Sequence, residues 1–149
     1  MNKIYAENKK AWHDYEIIES FEAGIVLEGH EVKAVKTGRM SIFGSYVKIL
    51  GDEAFLVGAT ISPYQSANTP KDYDPQRTRK LLLNKKEIAG LIGKSKEGLT
   101  IVPLKAYNKK GRIKLEIGLA KARKKYDKRA SIKKKEEKRK IERVLKQYG

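Results

Sequence analysis

Ile113-Lys114-Leu115-Glu116-Ile117-Gly118-Leu119-Ala120 alternates large apolar side chains with charged or small ones over eight residues. A period of two is the mark of a β-strand with one buried face. Upstream, Leu99-Thr100-Ile101-Val102 is a second apolar run, and Asn108-Lys109-Lys110-Gly111 between them carries the residues of a tight turn. The pair reads as a hairpin. Working towards the N-terminus, a second hairpin runs through Tyr46-Val47-Lys48-Ile49, turns at Gly51-Asp52 and returns through Ala54-Phe55-Leu56-Val57. Arg79-Lys80-Leu81-Leu82-Leu83 is a further short strand. Residues 14–27 read as a long strand broken near Gly24, since glycine inside a strand pattern marks a bulge or sharp bend.

Two short helices fit between these strands. Glu28 to Lys36 stops at Thr37-Gly38, and Lys85 to Ile92 starts after Asn84, a good N-cap, and stops at Gly93. Six short strands with few helices predict a mainly β protein. The expected architecture is a six-stranded antiparallel closed barrel related to the oligonucleotide-binding (OB) fold, with two or three short helices and a basic C-terminal tail. Closure is expected because it removes exposed sheet edges.

Charge divides the chain in two. It has 149 residues, 34 Lys plus Arg against 18 Asp plus Glu, and a net charge of +16. Residues 1–119 hold 20 basic and 14 acidic side chains; residues 120–149 hold 14 and 4. The last fifth therefore carries most of the excess, and its apolar content is too low to offset ordering entropy. The reading is a folded body over residues 1–122 and a basic tail over 123–149, disordered when free. In the tail, Glu136/Lys140 and Glu142/Lys146 have helix-favouring spacing, and Ile141, Val144, Leu145 and Tyr148 share one helical stripe. A basic segment of this kind fits a helix that forms against RNA, because neutralised phosphates release counterions.

Other classes find little support. Cysteine is absent, which excludes disulfides and thiolate chemistry. No run of about 18 apolar residues occurs and no apolar signal core opens the chain, so a cytoplasmic protein with no membrane contact is expected. His13 and His30 are not in metal-ligand spacing, and Asp72 and Asp74 read as solvated carboxylates of a Pro-flanked loop. No catalytic residue, metal or cofactor is predicted. Binding chemistry concentrates in the tail and two other segments. Asn8 to Tyr15 mixes cations with Trp12 and His13; the sequence favours Trp12 packing on the barrel over stacking on bases. Asp74 to Asn84 is a basic loop leading into an apolar strand, with Leu82 as core and Asn84 as cap.

Four strings, in order and in register, resemble the SsrA-binding protein (SmpB) family. They are Asn8-Lys9-Lys10-Ala11 with His13-Asp14-Tyr15; Phe21-Glu22-Ala23-Gly24-Ile25 with Gly29-His30-Glu31-Val32-Lys33; Asp74-Pro75 with Arg77 to Asn84; and Tyr126-Asp127-Lys128-Arg129. The resemblance implies a factor that binds transfer-messenger RNA (SsrA RNA) and delivers it to stalled ribosomes for trans-translation. In that scheme the barrel grips the tRNA-like domain, and the tail probes the empty mRNA channel of the small subunit, becoming helical there. Elongation factor Tu joins the delivery complex.

By matched position, the resemblance assigns Glu22, Leu82 and Asn84 to the RNA, with Lys121, Arg123 and Lys124 as a supporting basic cluster. His13, Asp127, Lys128, Arg129, Val144 and Leu145 match positions that act at the ribosome and its decoding centre. A carboxylate in an RNA site repels phosphate, so Glu22 is expected to accept hydrogen bonds from base or ribose donors. Ala122 stands where the family usually has glycine, which disfavours a positive-φ hinge there. The alternatives from other classes are a generic basic RNA-binding or ribosome-associated protein and a small nuclease using loop carboxylates.

Overall fold

The structure is a computed structural model and describes residues 3–64 and 69–123. In chain order it has β1 (Ile4–Glu7), α1 (Lys9–Asp14), β2 (Tyr15–Ile25), α2 (Gly29–Lys36), β3 (Met40–Ser41), β4 (Tyr46–Leu50), β5 (Glu53–Val57), β6 (Thr60–Ile61), β7 (Arg79–Leu82), α3 (Lys85–Ser95), β8 (Thr100–Lys109) and β9 (Arg112–Ala122). Seven strands form one antiparallel sheet in the order β1-β8-β9-β2-β7-β5-β4, and β3 pairs with β6 in a separate two-stranded ladder.

Both expected hairpins are present. β8 and β9 pair from Thr100↔Ala120 to Lys109↔Arg112. Their turn is only Lys110-Gly111, both at positive φ (51° and 79°), the twist that two-residue hairpin turns require. β4 and β5 pair out to Leu50↔Glu53 around Gly51-Asp52. Ile113, Leu115, Ile117 and Leu119 all enter the main core with Leu56, Ile61, Leu81, Leu91 and Ile101. Each such side chain contributes about 1.5–3 kcal/mol by leaving water.

The opposite face of β9 is also covered at its end. Ala120 packs with Ala11, Val102 and Leu104 under α1. A Cβ on Gly118 would come within 2.9 Å of Leu104 Cδ1 and 3.2 Å of Ile17 Cγ2, so a larger residue there would have to push these packed side chains aside. The period-two pattern therefore describes a half-buried strand that becomes buried on both sides where α1 crosses it.

The closed six-stranded barrel is not what forms. β1 and β4 are the two edges of the large sheet, and no ladder joins β4 to β8. A groove of about 500 Å³ lies between them, lined by Val47, Ile49, Ile92, Leu99 and Ile101. The local cause is in β8. Its free edge at Lys105–Tyr107 is occupied by β1. Beside the groove the strand is interrupted by Pro103, which has no N–H to donate, and by a register shift between Pro103 and Lys105. Side chains, not backbone hydrogen bonds, line the gap.

Two smaller expectations change. β2 is continuous through Gly24; its irregularity falls between Ile17 and Glu19. Gly24 serves close approach instead: it pairs with Lys114 on one side and Leu82 on the other, and a Cβ there would lie 3.2 Å from Leu82 Cβ. α3 does not stop at Gly93 but continues to Ser95. A helical glycine costs only about 1 kcal/mol, and burial of Ile88 and Leu91 holds the helix on the core.

Candidate nucleic-acid interface

Residues paired across a sheet share a face, so the register maps the outer surface directly. One row reads Lys105–Glu116–Glu22 across β8, β9 and β2. The next reads Tyr107–Lys114–Gly24–Leu82 and extends on to β7. Lys109 follows two residues after Tyr107, and Lys80 stands two residues before Leu82, both on the same face. Four lysines, a tyrosine, two glutamates and an outward leucine thus lie on one sheet surface.

Glu22 is fastened within this surface. Its Oε2 accepts from the Tyr107 hydroxyl, and Lys109 Nζ reaches Oε2 at 3.1 Å and Oε1 at 3.2 Å. The hydrogen bond from Tyr107, then that from Lys109, holds the carboxyl below its ordinary range. The Tyr107 phenol is pushed up by burial and by its bond to Glu22. About a third of the Glu22 side chain stays exposed, so the anion remains open to an outside donor.

Leu82 is 54% exposed, opposite Gly24 across the ladder, and so is not the core residue its apolar neighbours imply. Asn84 is the N-cap of α3: its Oδ1 accepts from Glu87 N–H at 2.8 Å, and Glu87 Oε1 accepts from Asn84 N–H at 3.1 Å. The cap fixes the amide, and its Nδ2 has no partner among the described residues. The structure therefore places Glu22 and Leu82 on one sheet face through β2 and β7, with Asn84 two residues beyond Leu82 at the start of α3.

Lys121 and Arg123 are not at this place. Glu16 pairs with Lys121 and Tyr15 with Ala122, and the Arg123 N–H donates to Asp14 O at 3.2 Å. That is the other end of β2, roughly 20 Å from Glu22 at about 3.3 Å per residue. His13 is there too, its Nδ1 3.2 Å from Asp14 Oδ1. Trp12 is not buried on the sheet; it is 52% exposed on α1. Lys10, on the same short helix, lies over the Phe43 ring at 5.4 Å. Lys124, Asp127, Lys128, Arg129, Val144 and Leu145 fall outside the described residues.

The basic loop before β7 is another matter. Arg79 is fully buried and donates to Glu31 Oε2 from Nε (3.0 Å) and Nη2 (2.7 Å), to Ala59 and Arg77 carbonyls from Nη1, and to the Pro75 carbonyl from Nη2. Arg77 also binds Glu31 through Nε and Nη2. The Tyr73 hydroxyl donates to Glu31 Oε2 at 3.0 Å and lies 2.8 Å from the Ile61 carbonyl. Burial pushes the Glu31 carboxyl up, but Arg77, the Glu28 N–H and Arg79 outweigh it and hold it at about 2. Burial and Glu31 push the Tyr73 phenol up to about 12. These arginines are internal braces between α2 and the loop entering β7, not a surface for phosphate.

Sequence reasoning missed Tyr107 and Lys109. Their signal was the odd-numbered polar set Lys105, Tyr107, Lys109 on β8, legible once β8 is paired with β9. Among the described residues no helix is long and apolar enough to cross a membrane.

Fold and surface define a class: a small antiparallel β protein presenting a lysine-lined sheet face suited to a polyanion. Comparison with known proteins narrows this. The family profile described as "SmpB protein" matches residues 5–147, and the chain belongs to that family. It is 54% identical to an SsrA-binding protein of Listeria welshimeri over 146 residues, covering 97% of this chain and 94% of the relative. It is 55% identical to an SsrA-binding protein of Dechloromonas aromatica over 141 residues, covering 94% and 95%. A solved structure described as "tmRNA-SmpB: a journey to the center of the bacterial ribosome" is similar at 44% identity and a TM-score of 0.65, covering 80% of this chain and 84% of that one.

Proposed function

We propose that this protein binds transfer-messenger RNA and delivers it to stalled ribosomes for trans-translation, as a non-catalytic adaptor in the cytoplasm. The observation that carries the reading is the family match over residues 5–147, with relatives that are themselves SsrA-binding proteins. The likeness to a tmRNA-SmpB ribosome structure supports the ribosome as second partner.

The geometry supports a division of labour. The outer sheet face with Glu22, Leu82 and Asn84 takes the tRNA-like domain. His13, at the far end of β2, faces the decoding centre, and the neighbouring Lys121 and Arg123, with Lys124, form the basic cluster that supports RNA affinity. The tail, with Asp127, Lys128, Arg129, Val144 and Leu145, enters the mRNA channel. Elongation factor Tu accompanies the complex.

Filter binding at fixed salt tests the first duty: transfer-messenger RNA should be preferred over bulk tRNA by a wide margin, and equal affinity would mean a generic basic binder. Deleting residues 127–149 tests the second. RNA affinity should survive and peptide tagging in a reconstituted translation system should vanish; a collapse of affinity would overturn the division.

A further inference from the structure

Glu22 has few acceptor positions left. A carboxylate offers about four lone-pair sites. Tyr107 takes one on Oε2, and Lys109 reaches both oxygens. By this count about one site is left, on Oε1, and about a third of the side chain is exposed. Tyr107 is itself fixed: it is buried to 8% exposure, sits in β8 opposite Lys114, and carries Lys105 Nζ over its ring at 5.5 Å. Its hydroxyl is thus a rigid donor, 85 residues away in sequence, that sets where the Glu22 carboxylate points. A surface glutamate without such a donor would sample several rotamers and lose that freedom on binding.

We infer that Tyr107, aided by Lys109, is the positioning residue of the RNA site, orienting Glu22 so that one oxygen receives a single N–H or O–H donor from an unpaired base or a ribose. This rests on the reading of Glu22 as an RNA contact and deepens it. The residues are preset in the free protein, so the RNA meets an ordered acceptor. The arrangement disfavours a bidentate donor pair, because Lys109 bridges both oxygens. The lysines around it, Lys105, Lys109 and Lys114, offset the repulsion between Glu22 and neighbouring phosphates.

The test uses the full chain and a transcript of the tRNA-like domain of transfer-messenger RNA. Glu22→Gln, Tyr107→Phe, Lys109→Met and the Glu22→Gln/Tyr107→Phe double variant are compared by filter binding from pH 4 to 7, with melting followed by circular dichroism. Glu22→Gln should weaken binding about tenfold, the scale of a lost charged hydrogen bond. Tyr107→Phe keeps the ring and should weaken binding several-fold with the melting curve unchanged.

Losing the Tyr107 bond also lets the Glu22 carboxyl rise towards its ordinary range. The acid-side loss of affinity should therefore begin at higher pH in Tyr107→Phe, and this shift should be absent in the Glu22→Gln background. The double variant should bind no worse than Glu22→Gln alone. Lys109→Met should shift the acid limb in the same direction, which keeps the inference testable if Tyr107→Phe does not fold. A Tyr107→Phe protein that binds like the wild type with the same acid limb, beside an impaired Glu22→Gln, would overturn the positioning role and leave the Glu22 contact standing. Wild-type binding by Glu22→Gln would overturn both.

Discussion

Glu22 and Glu31 have the same chemistry and opposite fates. Each carboxylate accepts from one tyrosine hydroxyl and from basic side chains, and each is held below its ordinary pKa. Glu31 and its partner Arg79 are fully buried, and their remaining donors end on carbonyls of residues 59, 75 and 77. The Arg79–Glu31 pair is closed off from solvent, so it holds α2 to the loop before β7. Glu22 has lysine and tyrosine instead of two arginines, sits on an open sheet face and keeps solvent access. The lesson is that an ion-paired glutamate declares its role by where its partners' spare hydrogen bonds go.

Breaking the buried site should cost the most. Glu31→Ala strands the Arg79 guanidinium in the core and is expected to destabilise by about 3–5 kcal/mol. Urea unfolding of that variant beside Glu22→Ala sharpens the contrast, since the latter should stay within about 1 kcal/mol of wild type. Equal losses would erase the distinction drawn between the two sites.

Acid should separate them next. Because the folded Glu31 carboxyl lies at about 2 against an ordinary 4.5, its contribution is present above pH 4.5 and drains away as the pH falls towards 2. That shift corresponds to about 3 kcal/mol at 1.36 kcal/mol per unit. Unfolding free energies measured between pH 2 and 6 should show the decline in wild type and in Glu22→Gln, but a much flatter profile in Glu31→Gln.

Asn84 gives a smaller effect that splits in two. Asn84→Ala loses the cap of α3, about 1 kcal/mol, together with the outward amide. Asn84→Asp keeps the cap oxygen but replaces the Nδ2 donor with a second, negatively charged oxygen, so its stability should match wild type while RNA affinity falls. Restored affinity in Asn84→Asp would assign Asn84 to the helix alone. Smallest in stability is Gly24→Ala: its new Cβ comes within 3.2 Å of Leu82 Cβ, so the paired strands must give by a few tenths of an ångström, while replacing a strand glycine returns about 0.5–1 kcal/mol. Unfolding should barely change, and RNA affinity should fall more than stability does.

The strands legible in the sequence are β4, β5, β7 and β9, where burial alternates along at least part of the strand, together with β8, which begins as an apolar run, and the long β2. β3 and β6 are two residues each, too short to show any period, and β1 is a four-residue edge with a register shift. α1 has a single buried residue, Ala11, so no helical stripe announces it. Closure of the barrel was an inference from strand number. What decides it is long-range: β1 on the edge of β8, and the interruption at Pro103. The family strings brought out Glu22, Leu82 and Asn84, but composition made Arg77 and Arg79 look like surface cations. Only a three-dimensional partner, Glu31 in another string, turns them inward. Tyr107 was hidden for the same reason, lying 85 residues from the carboxylate it serves.

The most direct test maps both glutamates in one experiment. Backbone amide shifts of the full chain would be followed by NMR as the tRNA-like domain of transfer-messenger RNA is titrated to saturation. The expected result is a set of perturbations concentrated on residues 20–24, 80–86 and 105–116, with Glu31, Tyr73 and Arg79 unmoved. Perturbations centred on Glu31 and the loop before β7, with the outer sheet face silent, would contradict the account.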